Sequence, residues 1–559
     1  MTLPHKFANL GEELLHAAGH AAHVQHLAPH DAPAPRKPAK PSSLGRAAVA
    51  RVKQAAMTAD FQAKAHQQEA IDRLHANNGA LLLMHGTGTG KTPTSLYGVE
   101  TLRDKGRATR TLAVVPAPLR ENFLNEGVHK FTDRKGVKFG PKGEAGSIHI
   151  SGRIPKADYY VVSNEMFRKD PAAYLKATGA DTIVWDEAHK GRSDQSLNYQ
   201  AMRQARGQVK NFLALSATPV VNHPRDLVPL IDIVTNGNHR LGTPQQFDRL
   251  YTGTVTQLHG PWASFGIGHQ TRETVLKNTH HLAAELNRHI HYVPVEDVAK
   301  DMPKKVVHDV PVEMSAHQKA LYDFQMAKID PLMAEKIRNN VPVGQSEARS
   351  ILTKIIRARA ISNSVHAGDR RFTPASAAVA TPKMKRMLDD VTAHLAADPK
   401  HKAIVYTNLV NGGVDSAVAG LRARGVEPGM FIGSTHQKKS ERQQHIQDYL
   451  AGNKRVMVIN SAGTEGLNLP GTTAHFTLDP HWNLSLMEQA EARGIRAGSP
   501  VKQVDVYRYT SAPPKMLGMF RSNEATVDQW VYNVANRKER LNRQLLGLLQ
   551  RPRRSDGTP

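Results

Sequence analysis

Cysteine is absent from this chain, which excludes a disulfide frame, a thiolate metal site and a cysteine nucleophile, and fits a reducing compartment. No apolar run approaches the ~18 residues needed to span a bilayer. Acidic residues are in short supply: 50 Asp and Glu stand against 74 Lys and Arg, a formal charge of +24 before histidine is counted. A surplus of that size favours a polyanionic partner, although a basic surface kept for solubility produces the same count. The 559 residues, 40% of them hydrophobic, leave room for sizeable cores in about three or four domains.

Residues 1–60 differ from the rest. Residues 31–43, DAPAPRKPAKPSS, are rich in Pro, Ala and Lys and read as an extended, solvated linker. Residues 7–27 form an Ala-rich helical pattern, but Glu12 and Glu13 interrupt it, so it is not read as a secretory signal. His16, His20 and His23 would share one helical face. No carboxylate or cysteine completes a closed metal shell, so they are read as solvated.

The central stretch is LLLMHGTGTGKT, residues 81–92. An apolar strand feeds a turn holding Gly86, Thr87, Gly88, Thr89 and Gly90, and Lys91 and Thr92 open a helix. Such a loop brings backbone N–H groups onto phosphates, places a lysine on the β- and γ-phosphates, and offers a hydroxyl to Mg²⁺. His85 stands where the strict phosphate-loop pattern has its first glycine, so a glycine-rich turn that binds nothing stays open on this stretch alone.

Short β-branched runs follow at 111–115, 148–150, 159–162, 182–185 and 212–215, separated by helical or turn sequence. Near-continuous apolar runs of this kind read as buried parallel strands of a doubly wound α/β sheet. The run at 182–185 ends in Asp186-Glu187-Ala188-His189. Hydrolysis at a Mg²⁺-bound triphosphate needs one carboxylate to hold the metal and another to deprotonate the attacking water. Asp186 suits the first task, with Thr92 as a second metal group, and Glu187 suits the second. The run at 212–215 leads to Ser216 and Thr218, whose hydroxyls either relay hydrogen bonds from the nucleotide or open an ordinary turn at Pro219.

A second α/β pattern begins near Thr381, with strands at 403–406, 455–460, 476–478 and 504–509. Between the last two lies a helix with Gln489, Arg493 and Arg496. Arg493 and Arg496 share a face, either reaching a γ-phosphoryl across a cleft or lying solvated.

Together these stretches resemble the superfamily-two helicase and translocase ATPases, and most of all the Swi/Snf-type double-stranded DNA translocases. The resemblance runs from about Phe61 to Asn536, with motifs in the family's order. HQQEAI (66–71) is similar to the glutamine motif, GTGTGKT to motif I, VVPAPLRENFLNE (114–126) to Ia and VVSNEMF (161–167) to Ib. DEAHKGRSDQS (186–196) resembles motif II, LSATPVVNHPRDL (215–227) motif III, IVYTN (404–408) motif IV and AGTEGLNL (462–469) motif V. GSTHQKKSERQQHIQDYL (433–450) resembles the segment after motif IV. DPHWNLSLMEQAEARGIRAGS (479–499) is the most specific match, close to D-x-x-W-N…Q-A-x-x-R-x-x-R-x-G. Motif I departs from the Asp-Glu-Met-Gly-Leu type usual in the Swi/Snf lineage.

The resemblance implies two RecA-like lobes, at 61–236 and 376–515, with helical protrusions and a linker at 237–375. It also implies a brace helix at 516–550, a basic tail at 551–559 and a disordered N-terminal tail. It implies ATP and Mg²⁺ as cofactors, held by Gln67, the residues of the phosphate loop, Gly466 and Asn468. Arg493 and Arg496 complete the site, and His189, Ser216, Thr218 and Gln489 couple hydrolysis to movement. Nucleic-acid contacts fall to Pro116, Ser163, Asn164, Thr407, Asn408, Gly433, Ser434, Ser461, Thr464 and Trp482. The partner implied is the phosphate backbone of double-stranded DNA, and the target a DNA-bound protein. The expected form is a cytoplasmic monomeric motor of bacterial or bacteriophage type. The alternatives are a strand-separating DNA or RNA helicase of the same superfamily, and a DNA-binding assembly protein with a vestigial ATPase.

Overall fold

The computed structural model describes residues 57–58, 61–217, 223–259, 269–298, 302–338, 345–433, 437–464, 467–495, 499–513, 515–516, 520–521 and 525–549. The tail at 1–60 (Met57 and Thr58 apart), the tail at 551–559, Thr218, Ser434, Gly466 and Arg496 lie outside them.

Helix α1 (Ala65–Ala76) leads into strand β1 (Ala80–His85), and helix α2 (Lys91–Asp104) follows the glycine loop. The remaining strands of the first half are β2 (Thr111–Val115), β3 (Gly136–Lys138), β4 (Tyr159–Ser163), β5 (Thr182–Trp185) and β6 (Asn211–Ser216). An antiparallel pair, β7 (Thr252–His259) and β8 (His269–Leu276), precedes β9 (Ile290–Val293). The first sheet is parallel throughout, in the order β3-β4-β2-β5-β6-β1-β9. Its strands read as unbroken apolar runs because both faces are covered. Leu82 and Met84 enter one core cluster, while Leu81 and Leu83 enter another on the opposite face.

The second sheet is also parallel, in the order β10-β15-β14-β11-β13-β12. Its strands are β10 (Lys304–Glu313), β11 (Ala403–Tyr406), β12 (Gly429–Phe431), β13 (Val456–Ile459), β14 (Ala474–Thr477) and β15 (Gln503–Ala512). Helix α3 (Gln345–Asn363) stands before this lobe, α4 (Pro382–Ala397) covers it, and α5 (Leu484–Glu491) follows β14.

Four features depart from the sequence reading. The run at 148–150 is no strand: Ile148 makes a single bridge to Phe139 between two turns, while the less apolar Gly136–Lys138 pairs with β4. The first sheet takes in β9, well beyond residue 236, because β9 pairs with β1 through backbone bonds that no local pattern encodes. The stretch at 237–375 is not simply helical. It holds β7, β8 and β9, and its β10 forms an edge of the second sheet, where Pro311 costs no ladder bond. Met57, placed with the tail, is buried against Phe61, Ile71 and Tyr97.

Helix α6 (Val527–Gly547) spans the two lobes. Thr526 starts it with a capping box: Oγ1 accepts the Gln529 N–H at 3.3 Å, and Gln529 Oε1 accepts the Thr526 N–H at 3.0 Å. Trp530 and Val531 pack with the helices Ala316–Met326 and Pro331–Arg338, with α3 and with Trp482. At the far end Leu545 and Leu549 enter the core of the first lobe, and Leu548 O accepts from Asn287 Nδ2 at 3.0 Å. No helix among the described residues is long and apolar enough to cross a membrane.

Candidate nucleotide site

Strands β5, β6 and β1 are neighbours in the first sheet. Their carboxyl ends therefore bring Asp186 and Glu187, Ser216, and the glycine loop to one edge, where α/β sheets bind ligands.

Gly90 caps α2 with φ 88°, a left-handed backbone that favours glycine, and no side chain caps the helix. An uncapped helix N-terminus behind a glycine loop suits a phosphate. Lys91 Nζ donates to the carbonyls of His85 (3.0 Å) and Gly86 (3.3 Å), which holds the ammonium inside the loop. Gln67 is buried. Its amide donates to Thr94 Oγ1 at 3.1 Å, and its carbonyl accepts the Lys64 N–H at 2.9 Å, so the structure ties it to the start of α2.

Glu187 adopts a left-handed backbone (φ 52°), uncommon for a residue with a side chain. The turn places its Oε2 3.2 Å from His189 Nδ1, which lies 3.4 Å from Ser216 Oγ. His189 Nδ1 thus stands between the residues that follow β5 and the end of β6. Burial and the Glu187 charge raise the Asp186 carboxyl above the ordinary carboxylate range. Burial opposes ionisation of Glu187 too, but the His189 hydrogen bond with the Lys91 and Lys190 charges hold it below the ordinary carboxylate range. A crowded carboxyl pair at the mouth of the glycine loop fits a divalent cation, which would relieve the repulsion that raises Asp186.

His85 is wholly buried, and its Nε2 lies 2.8 Å from His291 Nδ1 on β9. The Gly86 N–H donates to Val293 O at 2.9 Å. A Cβ on Gly86 would come within 2.2 Å of Val295 Cγ2, so the loop's entrance is moulded by chain two hundred residues away. Beyond β9, Met302 lies beside Gly88 and also packs with Ile495, Val501, Val504 and Val506 of the second lobe. His291, Val295 and Met302 have no sequence signal as site residues, because each acts through one long-range contact.

Arg493 is buried on the second lobe, its Nη1 donating to Leu467 O at 3.3 Å, and Gln489 is buried nearby on α5. Glu491, also on α5, takes both Arg508 nitrogens at 2.9 and 3.0 Å and an ion pair from Lys305 on β10. Asn468, Ser461 and Gly88 are exposed, Gly433 is buried, and only the backbone of Thr464 is described.

Several residues expected to meet nucleic acid are engaged elsewhere. Trp482 has no exposed surface and packs edge-on against Trp530 (centroids 5.4 Å apart) beneath the Arg359 guanidinium. Thr407 is buried and donates to Asp479. Ser163 caps a short helix through the Met166 N–H at 3.2 Å, and Asn164 Oδ1 accepts from Trp185 Nε1 at 2.9 Å. Pro116 is buried as well. Apart from Pro116, these are polar or aromatic side chains turned onto other parts of the protein's own interior. The exposed positions beside them are Ala117, Pro118 and Asn411.

The family model described as SNF2-related domain matches residues 65–367, and that described as helicase conserved C-terminal domain matches residues 384–498. The chain belongs to the SNF2-related family. It is therefore an ATPase of helicase or translocase type. Among relatives of this SNF2-related protein, an Acanthamoeba polyphaga mimivirus protein named for ATP-dependent RNA helicase activity is 24% identical, over 86% of this chain and 94% of its own. The uncharacterised ATP-dependent helicase YqhH of Bacillus subtilis is 23% identical over 80% of this chain and 74% of its own. The DNA repair and recombination protein RAD54 of Oryza sativa is 23% identical over 83% of this chain but only 48% of its own. Among solved structures, the Sulfolobus solfataricus SWI2/SNF2 ATPase core in complex with dsDNA matches over 90% of this chain and 99% of that one, at 16% identity and a TM-score of 0.39.

The ATPase holds several histidines neutral. Burial pushes His475 and His291 down to about 4, with Arg73 adding to the effect at His291. Their imidazoles stay unprotonated in the folded chain while the unfolded chain takes up protons below about 6.5. Folding stability should therefore fall as pH drops from about 6.5 to about 4, by roughly 3 kcal/mol per histidine. Urea midpoints at pH 7.5, 6 and 5 check this, and a midpoint unchanged over that range would contradict it.

Proposed function

We propose that this chain is an ATP-driven translocase on double-stranded DNA that displaces or remodels DNA-bound complexes. The observation that carries the reading is the SNF2-related match over residues 65–367, which contains the Lys91, Asp186, Glu187 and His189 cluster. The +24 charge supports a nucleic-acid partner, and the RAD54 relative is named for DNA repair and recombination. When bound, Mg²⁺·ATP supplies the triphosphate to be split and the positive charge that offsets its oxygens. Lys91, Thr92 and the loop N–H groups would orient the phosphates, and ionised Asp186 would hold the metal. Glu187 accepts the proton of a water aimed at the γ-phosphorus, whose bond to the ADP oxygen breaks. His189 and Ser216 sense that change and pass it to the end of β6. Gln67 reads adenine, and Arg493 and Arg496 meet the γ-phosphoryl when the lobes close. DNA is held mainly through phosphate, with little sequence preference and steep salt dependence. The motor works as a cytoplasmic monomer.

A second reading is strand separation on DNA or RNA. The motif I sequence is less Swi/Snf-like than the rest, and the mimivirus relative is named for RNA helicase activity. ATPase rates with blunt duplex DNA, single-stranded DNA, forked DNA and RNA, together with two strand assays, separate the readings. Translocation predicts strongest stimulation by duplex DNA and ATP-dependent displacement of a triplex-forming strand without unwinding. Efficient unwinding of a tailed duplex would overturn it in favour of the helicase.

A further inference from the structure

Four charged side chains are shut away from water where α3, α4, α6 and the exits of β11 and β14 meet. Arg359, Asp479 and Asp528 have no exposed surface, and Lys383 has 1%. Asp479 accepts five hydrogen bonds. They come from Arg359 Nη2 (3.3 Å), Asn363 Nδ2 (2.8 Å), Thr407 Oγ1 (2.5 Å), the Asn408 N–H (3.1 Å) and Asn408 Nδ2 (2.9 Å). Asp528 accepts from Lys383 Nζ (2.5 Å) and the Ser511 N–H (3.2 Å), and lies 3.9 Å from Arg359 Nε. Two cations thus balance two carboxylates.

Burying four charges is an inefficient way to hold helices together, because apolar side chains of equal volume often do so as well or better. What such a network supplies is one fixed geometry, and the parts it fixes are specific. Thr407 and Asn408 begin the motif IV loop. That loop lies flat on α3: at Gly412 (φ +76°) a Cβ would come within 2.9 Å of Ala360 O, next to Arg359. Its Asn411 is exposed. On the other side, Asp479 lies two residues beyond β14 and three before Trp482, which seals the junction against Trp530. Helix α5 follows at once, with Gln489 and then Arg493.

We infer that Asp479 is a positioning residue that couples engagement of nucleic acid by the motif IV loop to the placement of α5 and Arg493. The inference rests on the translocase reading and deepens it. Nucleic acid pressing on the loop moves donors that Asp479 holds, and Asp479 is joined by a short, packed segment to α5 and, just beyond the end of that helix, to Arg493. The coupling needs no contact between Asp479 and either ligand.

The test uses the full chain, a blunt DNA duplex and Asp479→Asn, which keeps the size of the side chain and removes its charge. Asp479→Asn is expected to lower duplex-stimulated kcat at least about tenfold, while DNA-free kcat, KM for ATP and Kd for the duplex stay within about twofold of wild type. A merely structural role would lower DNA-free and stimulated rates together, and that outcome overturns the inference, as does a stimulation ratio equal to wild type. Should Asp479→Asn fail to fold, Asn363→Ala, which removes one donor of five, decides by the same split with a loss of about threefold. A wild type whose ATPase ignores every nucleic acid sinks the translocase reading and the coupling with it. A responsive wild type with an equally responsive variant sinks the coupling alone.

Discussion

Replacing Glu187 with glutamine is expected to cut ATP turnover at least about a hundredfold, a barrier increase of roughly 3 kcal/mol, while nucleotide binding survives. The substitution keeps the shape of the side chain. It removes the negative charge that the His189 hydrogen bond and the Lys91 charge stabilise at the end of β5. A neutral amide cannot take a proton from water, so the loss falls on the chemical step and not on affinity. The left-handed backbone at Glu187 sharpens the expectation. A strained residue persists where its surroundings hold it in one orientation, and here that orientation directs the carboxylate toward His189. Steady-state ATPase with saturating duplex, beside nucleotide binding measured by calorimetry, is the required pair. Lys91→Ala should lose turnover as well, with weakened nucleotide binding, because its ammonium lies inside the phosphate loop. Wild-type turnover in Glu187→Gln would remove Glu187 from the chemistry.

The second large effect concerns stability. Trp482→Ala should destabilise the junction of the second lobe with the brace helix by about 3–5 kcal/mol, the usual cost of emptying a large aromatic site in a core. Trp482 loses its edge-on partner Trp530 and uncovers Arg359, a guanidinium with no exposed surface. Residues of α3 and α6 form the walls of the space left behind, and they are anchored at Asp479 and Asp528, which limits collapse into it. Denaturant unfolding followed by tryptophan fluorescence should show an early transition in the variant. Duplex affinity measured well below that transition should stay near wild type. The reverse pattern, intact stability with lost DNA affinity, would restore Trp482 to the nucleic-acid surface.

These cases mark what contiguous sequence carried and what it did not. The glycine loop, the Asp-Glu pair and the strands that present them were legible because each is local. A fully buried parallel strand must be an apolar run, and a phosphate cradle must place glycines and a lysine at fixed spacing before a helix. The motif order was legible for the same reason, and with it the two-lobed plan; the helix expected from 516 begins only at Val527, beyond a short antiparallel pair, Lys515–Met516 with Phe520–Arg521. Residues read as nucleic-acid contacts by position in a motif fared worse. Thr407, Ser163, Asn164 and Trp482 are the residue types that meet phosphates and bases, yet their loops turn them inward. Whether a side chain at a strand end faces solvent or its own core depends on what packs above it, which spacing does not encode.

The amino-acid sequence by itself determined the local elements: the glycine loop before a helix, the carboxylates that stand at a neighbouring strand end, and that nothing in the chain could supply thiol chemistry. Tertiary structure alone decided how that site is shaped and tied to the rest. It seated His291 and Val295 on the loop's entrance, set Met302 beside Gly88, and gathered Arg359, Lys383, Asp479 and Asp528 from four separate segments into one buried network. The physical reason is the range of the contacts. A motif is fixed by neighbours along the chain, whereas a buried charge network exists only after folding has removed water from all its members together.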